Sequence, residues 1–344
     1  MATAPTAAAP RPPFNPDVPN VRQGYRAAAA RVMRSIPVVI ALVFSLHGAA
    51  LPPAIGAVTI TKPASLSADE VTVDNNGSKL VAIGNVVAVY GTLRATGDLL
   101  RLDRPTGIAT LAGHASVTEP RGRATADAIR LTVVGEQRVT QVDLTGHVSV
   151  ADPRGRAAAD AVTLTVAGGQ QLSRVRMTGH ASVETREYAL LANQIIGDRD
   201  ADLLTADGNV TMYSAPDLIV SGAHATYDRR ADHAVVTGDP GRPALVQNRY
   251  GRILGASMEL FRRAGRAVIH GPVDAEVYDA TLTGAQAVVD LNAHAAVVTG
   301  HVVVSRQQGT LLADRVTILY QARRLIAEGE THMTISDLEP PTSP

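Results

Sequence analysis

The stretch Val142-Asp143-Leu144-Thr145-Gly146-His147-Val148-Ser149-Val150 alternates apolar and polar residues along its whole length. Val142, Leu144, Gly146, Val148 and Val150 fall on one side, and Asp143, Thr145, His147 and Ser149 on the other. A period of two belongs to a strand with one face in a core and the other in water. The pattern returns 33 residues later. There Val175, Met177, Gly179, Ala181 and Val183 oppose Arg174, Arg176, Thr178, His180 and Ser182. The run between them behaves alike, with Val162, Leu164 and Val166 against Thr163 and Thr165. The Gly lies on the apolar side of this reading, where a missing Cβ allows a bend or a close approach of facing backbone.

Working outward, the same unit recurs nine times. Its glycines are Gly84, Gly113, Gly146, Gly179, Gly208, Gly238, Gly271, Gly300 and Gly329, spaced 29 to 33 residues apart. A repeat of that length means stacked supersecondary units that bury their apolar faces against neighbours. A second landmark precedes each Gly: a small-residue pair, often Ala-Asp, as in Ala68-Asp69, Gly97-Asp98, Ala126-Asp127, Ala159-Asp160, Ala192-Asn193 and Ala313-Asp314. Gly222-Ala223, Gly255-Ala256 and Gly284-Ala285 hold that slot elsewhere. The pair is read as the opening of a strand. Between the landmarks lie turn clusters such as Asp74-Asn75-Asn76-Gly77, Gly135-Glu136, Gly168-Gly169 and Asp228-Arg229-Arg230. Two β-rich runs joined by such a cluster form a hairpin. The third and fourth units are four residues longer, most simply two per arm, an even increment that keeps every side chain on its face. No amphipathic helix is evident after residue 57. The expected class is all-β, an extended array of nine hairpin repeats of about 30 residues. Its interior is either a packed core or a narrow apolar trough.

Composition narrows the function. The chain has 344 residues, no formal net charge, no Cys, no Trp and 3% aromatics. Residues 1–57 hold five Arg against one Asp, so the remainder is mildly acidic. That argues against nucleic acid, which asks for a basic footprint and stacking platforms. Without Cys there is no disulfide, thiolate metal site or Cys nucleophile. At the N-terminus, Met33-Arg34-Ser35 precedes the apolar run Ile36 to Leu46 and the small residues Gly48, Ala49 and Ala50. This reads as a secretory signal starting at Met33 and cleaved after Ala50 or Ala57, which implies export of the body. A retained inner-membrane anchor is the alternative. The expected organisation is an extension and signal over 1–57, repeats one to five over 58–237, repeats six to nine over 238–336 as continuation or second module, and a tail over 337–344.

Stretches such as Leu80-Val81-Ala82-Ile83-Gly84-Asn85-Val86-Val87, Leu204-Thr205-Ala206-Asp207-Gly208-Asn209-Val210 and Val298-Thr299-Gly300-His301-Val302 resemble the repeats of the lipopolysaccharide-export periplasmic proteins, the LptA/OstA-like superfamily. The resemblance covers residues 66 to 336. It implies an open, twisted β-jellyroll whose apolar interior shields lipid A acyl chains. It also implies head-to-tail joining through sheet edges, with LptC-like and LptD-like proteins at the two ends of the bridge. Asn209 to Tyr213 and Gly251 to Gly255 also resemble the anchored LptC-like subunit. The stretch Gly238 to Gly255, with Pro240 and Pro243, departs from the pattern, so the array is either one long jellyroll or two tandem modules.

The residues expected to line the lipid groove are Val142, Leu144, Val148, Val150, Val162, Leu164, Val166, Val175, Met177 and Val183. Arg121, Arg123, Arg154 and Arg156, in two Pro-Arg-Gly-Arg turns, could pair with lipid A phosphates, although Pro and Gly alone explain those turns. His114, His147, His180 and His301 share one slot on the polar side and read as solvated surface rather than a zinc ladder. The acidic slot lacks the Gly-rich nonapeptide of calcium rolls. No catalytic constellation is locatable, and no cofactor is expected. The leading function is a periplasmic lipid carrier in lipopolysaccharide transport that works without turnover. The alternatives are an anchored LptC-like subunit or a β-solenoid structural or adhesion scaffold.

Overall fold

The computed structural model describes residues 64–335, apart from the segments 75–77, 91–92, 135–137, 168–170 and 215–216 and residues 121, 154, 187 and 262. The signal or anchor, the start at Met33 and the tail over 337–344 lie outside the described residues. All regular structure among the described residues is strand. β1 (Ala64–Ser67) and β2 (Glu70–Val73) pair with the two ends of β3 (Lys79–Tyr90). An antiparallel meander follows through β4 (Leu93–Asp103), β5 (Ile108–Glu119), β6 (Gly122–Val134), β7 (Arg138–Asp152) and β8 (Gly155–Ala167). It continues through β9 (Gln171–Thr185), β10 (Tyr188–Asp198), β11 (Leu203–Ser214) and β12 (Leu218–Asp228).

Four short strands come next: β13 (His233–Thr237), β14 (Ala244–Asn248), β15 (Gly251–Gly255) and β16 (Ser257–Phe261). β13 and β14 pair with separate stretches of β12, β16 pairs with β13, and β15 with β14. β15 and β16 both pair with β17 (Arg266–Val277), which restores the long-strand pattern. β18 (Ala280–Asp290), β19 (Ala295–Arg306) and β20 (Gly309–Leu319) extend it, and β21 (Arg324–Glu328) and β22 (His332–Ile335) close it against β20. Backbone pairing is thus continuous through the Pro240–Pro243 region. Here the middle of the strand opens into a loop instead of a bend, held by an Asp239–Arg242 bridge.

The bend explains how one meander makes two facing layers. In β7, Gly146 at φ +74° and His147 at φ +48° are both left-handed. Pairing with β8 steps from Thr145↔Ala161 to Val148↔Ala159, so two residues oppose the single Asp160. Such a bulge bends and twists its strand. The same two-residue device recurs at Gly84-Asn85, Gly113-His114, Gly179-His180, Gly208-Asn209 and Gly300-His301. Inward residues on both sides of the bend, Val142 and Leu144 before it and Val148 and Val150 after it, share one buried cluster. Each strand therefore folds over on itself, and successive strands stack the folds into an extended jellyroll. The apolar interior comprises two clusters, one drawn from Ala82 to Val210 and the other from Val220 to Ile318. Met212 and Ala225 pack against both.

Two sequence expectations need correction. The small-residue pair does not open a strand: Asp98 and Asp127 lie near the middle of β4 and β6, opposite the bulge. The four extra residues of the third and fourth units do not divide evenly between the arms. Thr140 and Ser173 are bulged out of register, so Val133 pairs with Val139 and Val166 with Leu172. Each bulged hydroxyl donates to a facing carbonyl, Thr140 Oγ1 to Thr132 O at 3.3 Å and Ser173 Oγ to Thr165 O at 3.1 Å. The odd residue re-aims the strand, so Val139 packs on the core and Leu172 is buried in it.

Candidate functional site: the apolar interior

The inner lining is made of alternate residues from every long strand, mostly Val, Leu, Ala and Ile. All ten residues expected to line a groove are buried. Their exposures run from 1% at Leu144 to 8% at Val166, and all but Val166 belong to the first cluster. Inward residues from both sides of the bend share one buried cluster. Ser116 is the one polar side chain buried among the described residues, and Arg123 Nε donates to its hydroxyl at 3.1 Å.

The arginines singled out for phosphate divide accordingly. Arg123 is committed to Ser116. Arg156 is paired with Glu184, Nη2 to Oε2 at 2.6 Å, so its charge is already answered. Arg121 and Arg154 lie outside the described residues.

The outer corner is where sequence reading missed a contact. A Cβ on Gly146 would stand 2.0 Å from Asp127 Oδ2, and one on Gly179 2.1 Å from Asp160 Oδ2. Gly therefore faces the polar clasp on the outside of the bend and not the lining, which corrects the apolar-side reading. The left-handed residue after it carries the bond. His114, His147 and His180 each place Nδ1 3.1 Å from Asp98, Asp127 and Asp160. These His side chains are 92–94% exposed, as the polar-side reading expected, but each is clasped to a carboxylate. Asn85 donates to Asp69 in the same slot, and Asn209 to Asn193. The signal was present as the fixed Asp-to-Gly spacing of 15 or 19 residues. A second polar cluster lies beyond the Pro240–Pro243 loop. Glu259 accepts from His233 Nε2 at 3.0 Å and His270 Nε2 at 2.8 Å. The His270 bond above all, with His233 behind it, holds the Glu259 carboxyl below its ordinary range despite partial desolvation.

The two ends of the sheet are alike in one respect. At β2, Val71 and Val73 are 46% and 53% exposed; at β22, Met333 and Ile335 are 69% and 48% exposed. Among the described residues, both are terminal strands with one backbone side unpaired and uncovered apolar residues.

The residues 281–341 match the family model described as LptA/(LptD N-terminal domain) LPS transport protein. A solved structure also aligns: LptH, the LptA homologous periplasmic component of the conserved lipopolysaccharide transport device from Pseudomonas aeruginosa. Identity is 11% and the TM-score 0.18, over 52% of this chain and 85% of that one. None of the curated proteins compared matches the chain. The last two repeats are thus similar to that family, and they continue the strand pairing of the repeats before them.

Proposed function

We propose that this protein is a periplasmic carrier that shields lipopolysaccharide acyl chains between the two inner faces of its bent strands. The observation that carries the reading is the lining: Val, Leu, Ala, Ile and Met side chains from successive strands, with Ser116 the one buried polar interruption among the described residues. Loading parts the two inner faces. Burying hydrocarbon yields about 0.8 kcal/mol per CH₂, so an acyl chain of ~12 methylenes brings on the order of 10 kcal/mol to offset lost contacts between side chains. No bond is made or broken, so the function needs binding and release and no catalytic group. The open terminal strands β2 and β22 suit pairing with another sheet by β-augmentation, with Val71, Val73, Met333 and Ile335 covered in the process. That partner would be a second copy or an LptC-like or LptD-like export protein. An anchored LptC-like subunit is the second reading, favoured if the apolar run Ile36–Leu46 is retained.

The test is site-specific photo-crosslinking to lipopolysaccharide from Val148, which is 2% exposed, and from its outward neighbour Ser149. Adducts are expected from Val148 alone, and Val148→Glu or Ala181→Glu should abolish capture. Equal adducts from both positions, or undiminished capture by both charged variants, would refute the carrier reading.

A further inference from the structure

The turns fall in two rows, one at each end of the bent strands. One row includes 291–294 and 320–323; the other includes 249–250 and 278–279. An 11-residue strand such as β18 would hold its ends some 36 Å apart if straight, at about 3.3 Å per residue. Yet the rows touch. The rings of Tyr250 and Tyr320 lie 5.7 Å apart, tilted by 37°. Tyr278 Oη donates to the carbonyl of Tyr320. The Arg323 guanidinium lies over the Tyr278 ring at 5.3 Å, and the His294 ring meets Tyr320 edge-on at 5.8 Å. Neighbouring turns of each row are tied as well, Tyr278 N to Tyr250 O at 3.3 Å and Tyr320 N to His294 O at 3.2 Å. Tyr320 Oη donates onward to Asp290 O at 3.2 Å.

The backbone conformation at this point is a general device of the turns. Tyr278, His294 and Arg323 are left-handed, at φ +57°, +53° and +51°, and Asp202 and Asp232 end the turns 199–202 and 229–232 likewise at +54° and +52°. The turns 104–107 and 263–265 end on Gly107 and Gly265, in the same conformation at φ +67° and +62°. A bulky residue such as Tyr278 is strained there where Gly would not be.

We propose that Tyr250, Tyr278 and Tyr320, supported by His294 and Arg323, form an aromatic latch that closes the side opening of the second apolar cluster. The latch gates sideways passage of hydrocarbon between solvent and the interior. Its role in loading rests on the carrier reading above; its closure of the interior does not. Aromatic and cation–π contacts suit a reversible latch, being individually modest.

The chain has no Cys, so a single introduced thiol reports alone. Leu282→Cys places one at a fully buried position beside the 278–279 turn, and Leu144→Cys places a control in the first cluster. N-ethylmaleimide labelling at position 282 should quicken about tenfold in Tyr250→Ala/Tyr278→Ala, the scale of one lost aromatic pair. Labelling at 144 should not change. Tyr278→Gly removes the ring and relieves the strained φ, so it should speed labelling at 282 without lowering the urea midpoint. Unchanged labelling at 282, or equal acceleration at both positions, overturns the latch. Uptake of pyrene-hexadecanoic acid by the full chain gives the second readout. It should be faster in the open variants and blocked when Tyr250→Cys/Tyr320→Cys is joined by a short bismaleimide. If labelling responds and no variant takes up the probe, the latch stands and the carrier reading falls. If wild type takes up the probe at a rate that neither opening nor crosslinking alters, the carrier reading stands and the gate falls.

Discussion

The corners of the first five repeats and those of the seventh and eighth make the same bend with different chemistry. Asp69, Asp98, Asp127, Asp160 and Asn193 reach across to the Gly pair in the early repeats, while Ala256 and Ala285 stand in that slot later. The Gly φ angle is +71° to +74° in those five corners and +86° to +88° beside the alanines, although Gly329, beside Asp314, lies at +91°. Pro272 follows Gly271, and His301 follows Gly300 opposite Ala285, which has no carboxylate to offer it. The difference teaches that the polar clasp does not make the corner. Two residues on one strand facing one on its neighbour make it, and the clasp decorates the solvent side. The ninth corner returns to the polar form, where Glu330 N donates to Asp314 Oδ2 at 3.1 Å.

The largest effect that would break this equivalence is a Cβ at the Gly itself. A non-Gly residue held left-handed costs about 1–3 kcal/mol. Gly146→Ala also brings its methyl to 2.7 Å from the Asp127 Cβ, an atom fixed to the backbone, and to 2.0 Å from Oδ2. Gly300→Ala meets the Ala285 Cβ at 2.6 Å, fixed in the same way. The two substitutions should therefore lower the urea midpoint by similar amounts. A clearly larger loss at Gly146 would show that the polar clasp contributes to the corner's packing.

The parts legible in the sequence were those encoded within one strand. The alternation of Val142 to Val150 named the inner residues, and clusters such as Asp228-Arg229-Arg230 marked the turns, because both rest on local backbone geometry. The contacts made across the fold were not legible. Asp127 and His147 are 20 residues apart and adjacent only through the register of β6 and β7. The bulges at Thr140 and Ser173 re-aim the ends of two strands without any Gly to announce them. Tyr250 meets Tyr320 through the course of six intervening strands, a consequence of the whole meander and of no single motif. The lining could thus be listed residue by residue while the closure of its mouth could not.

A smaller effect separates the flat sheet from the corners. Glu259 lies on the outer sheet face beyond the loop and is bonded by two imidazoles, unlike the one-to-one corner pairs. Its folded carboxyl lies below its ordinary value of 4.5. A depressed acid contributes stability that is fully present above the unfolded value and is lost as pH falls through the folded one. Glu259→Gln should therefore narrow the stability difference between neutral pH and pH below 4.5, read as urea midpoints across that range. The same acid sensitivity in the variant as in wild type would assign the acid loss to other carboxylates, with Asp198 first. Its carboxyl is also held low, by the Ala201 amide and then by Arg174.

The smallest expected effect sharpens the comparison most directly, because it converts one corner into the other. Ala285→Asp places a carboxylate opposite His301, as Asp127 stands opposite His147. Both partners of the existing pair are largely exposed, 65% for Asp127 and 92% for His147, so solvent screens their attraction. A double-mutant cycle over Asp127→Ala and His147→Ala should give a coupling of no more than about 0.5 kcal/mol, shrinking as salt is added. Ala285→Asp should gain a similar few tenths, within the range of an exposed ion pair. A loss beyond about 1 kcal/mol would mean that the packing around Ala285 leaves no room for the clasp. In that case the alanine is part of how the later corners pack, and the two halves of the array bend by different means after all.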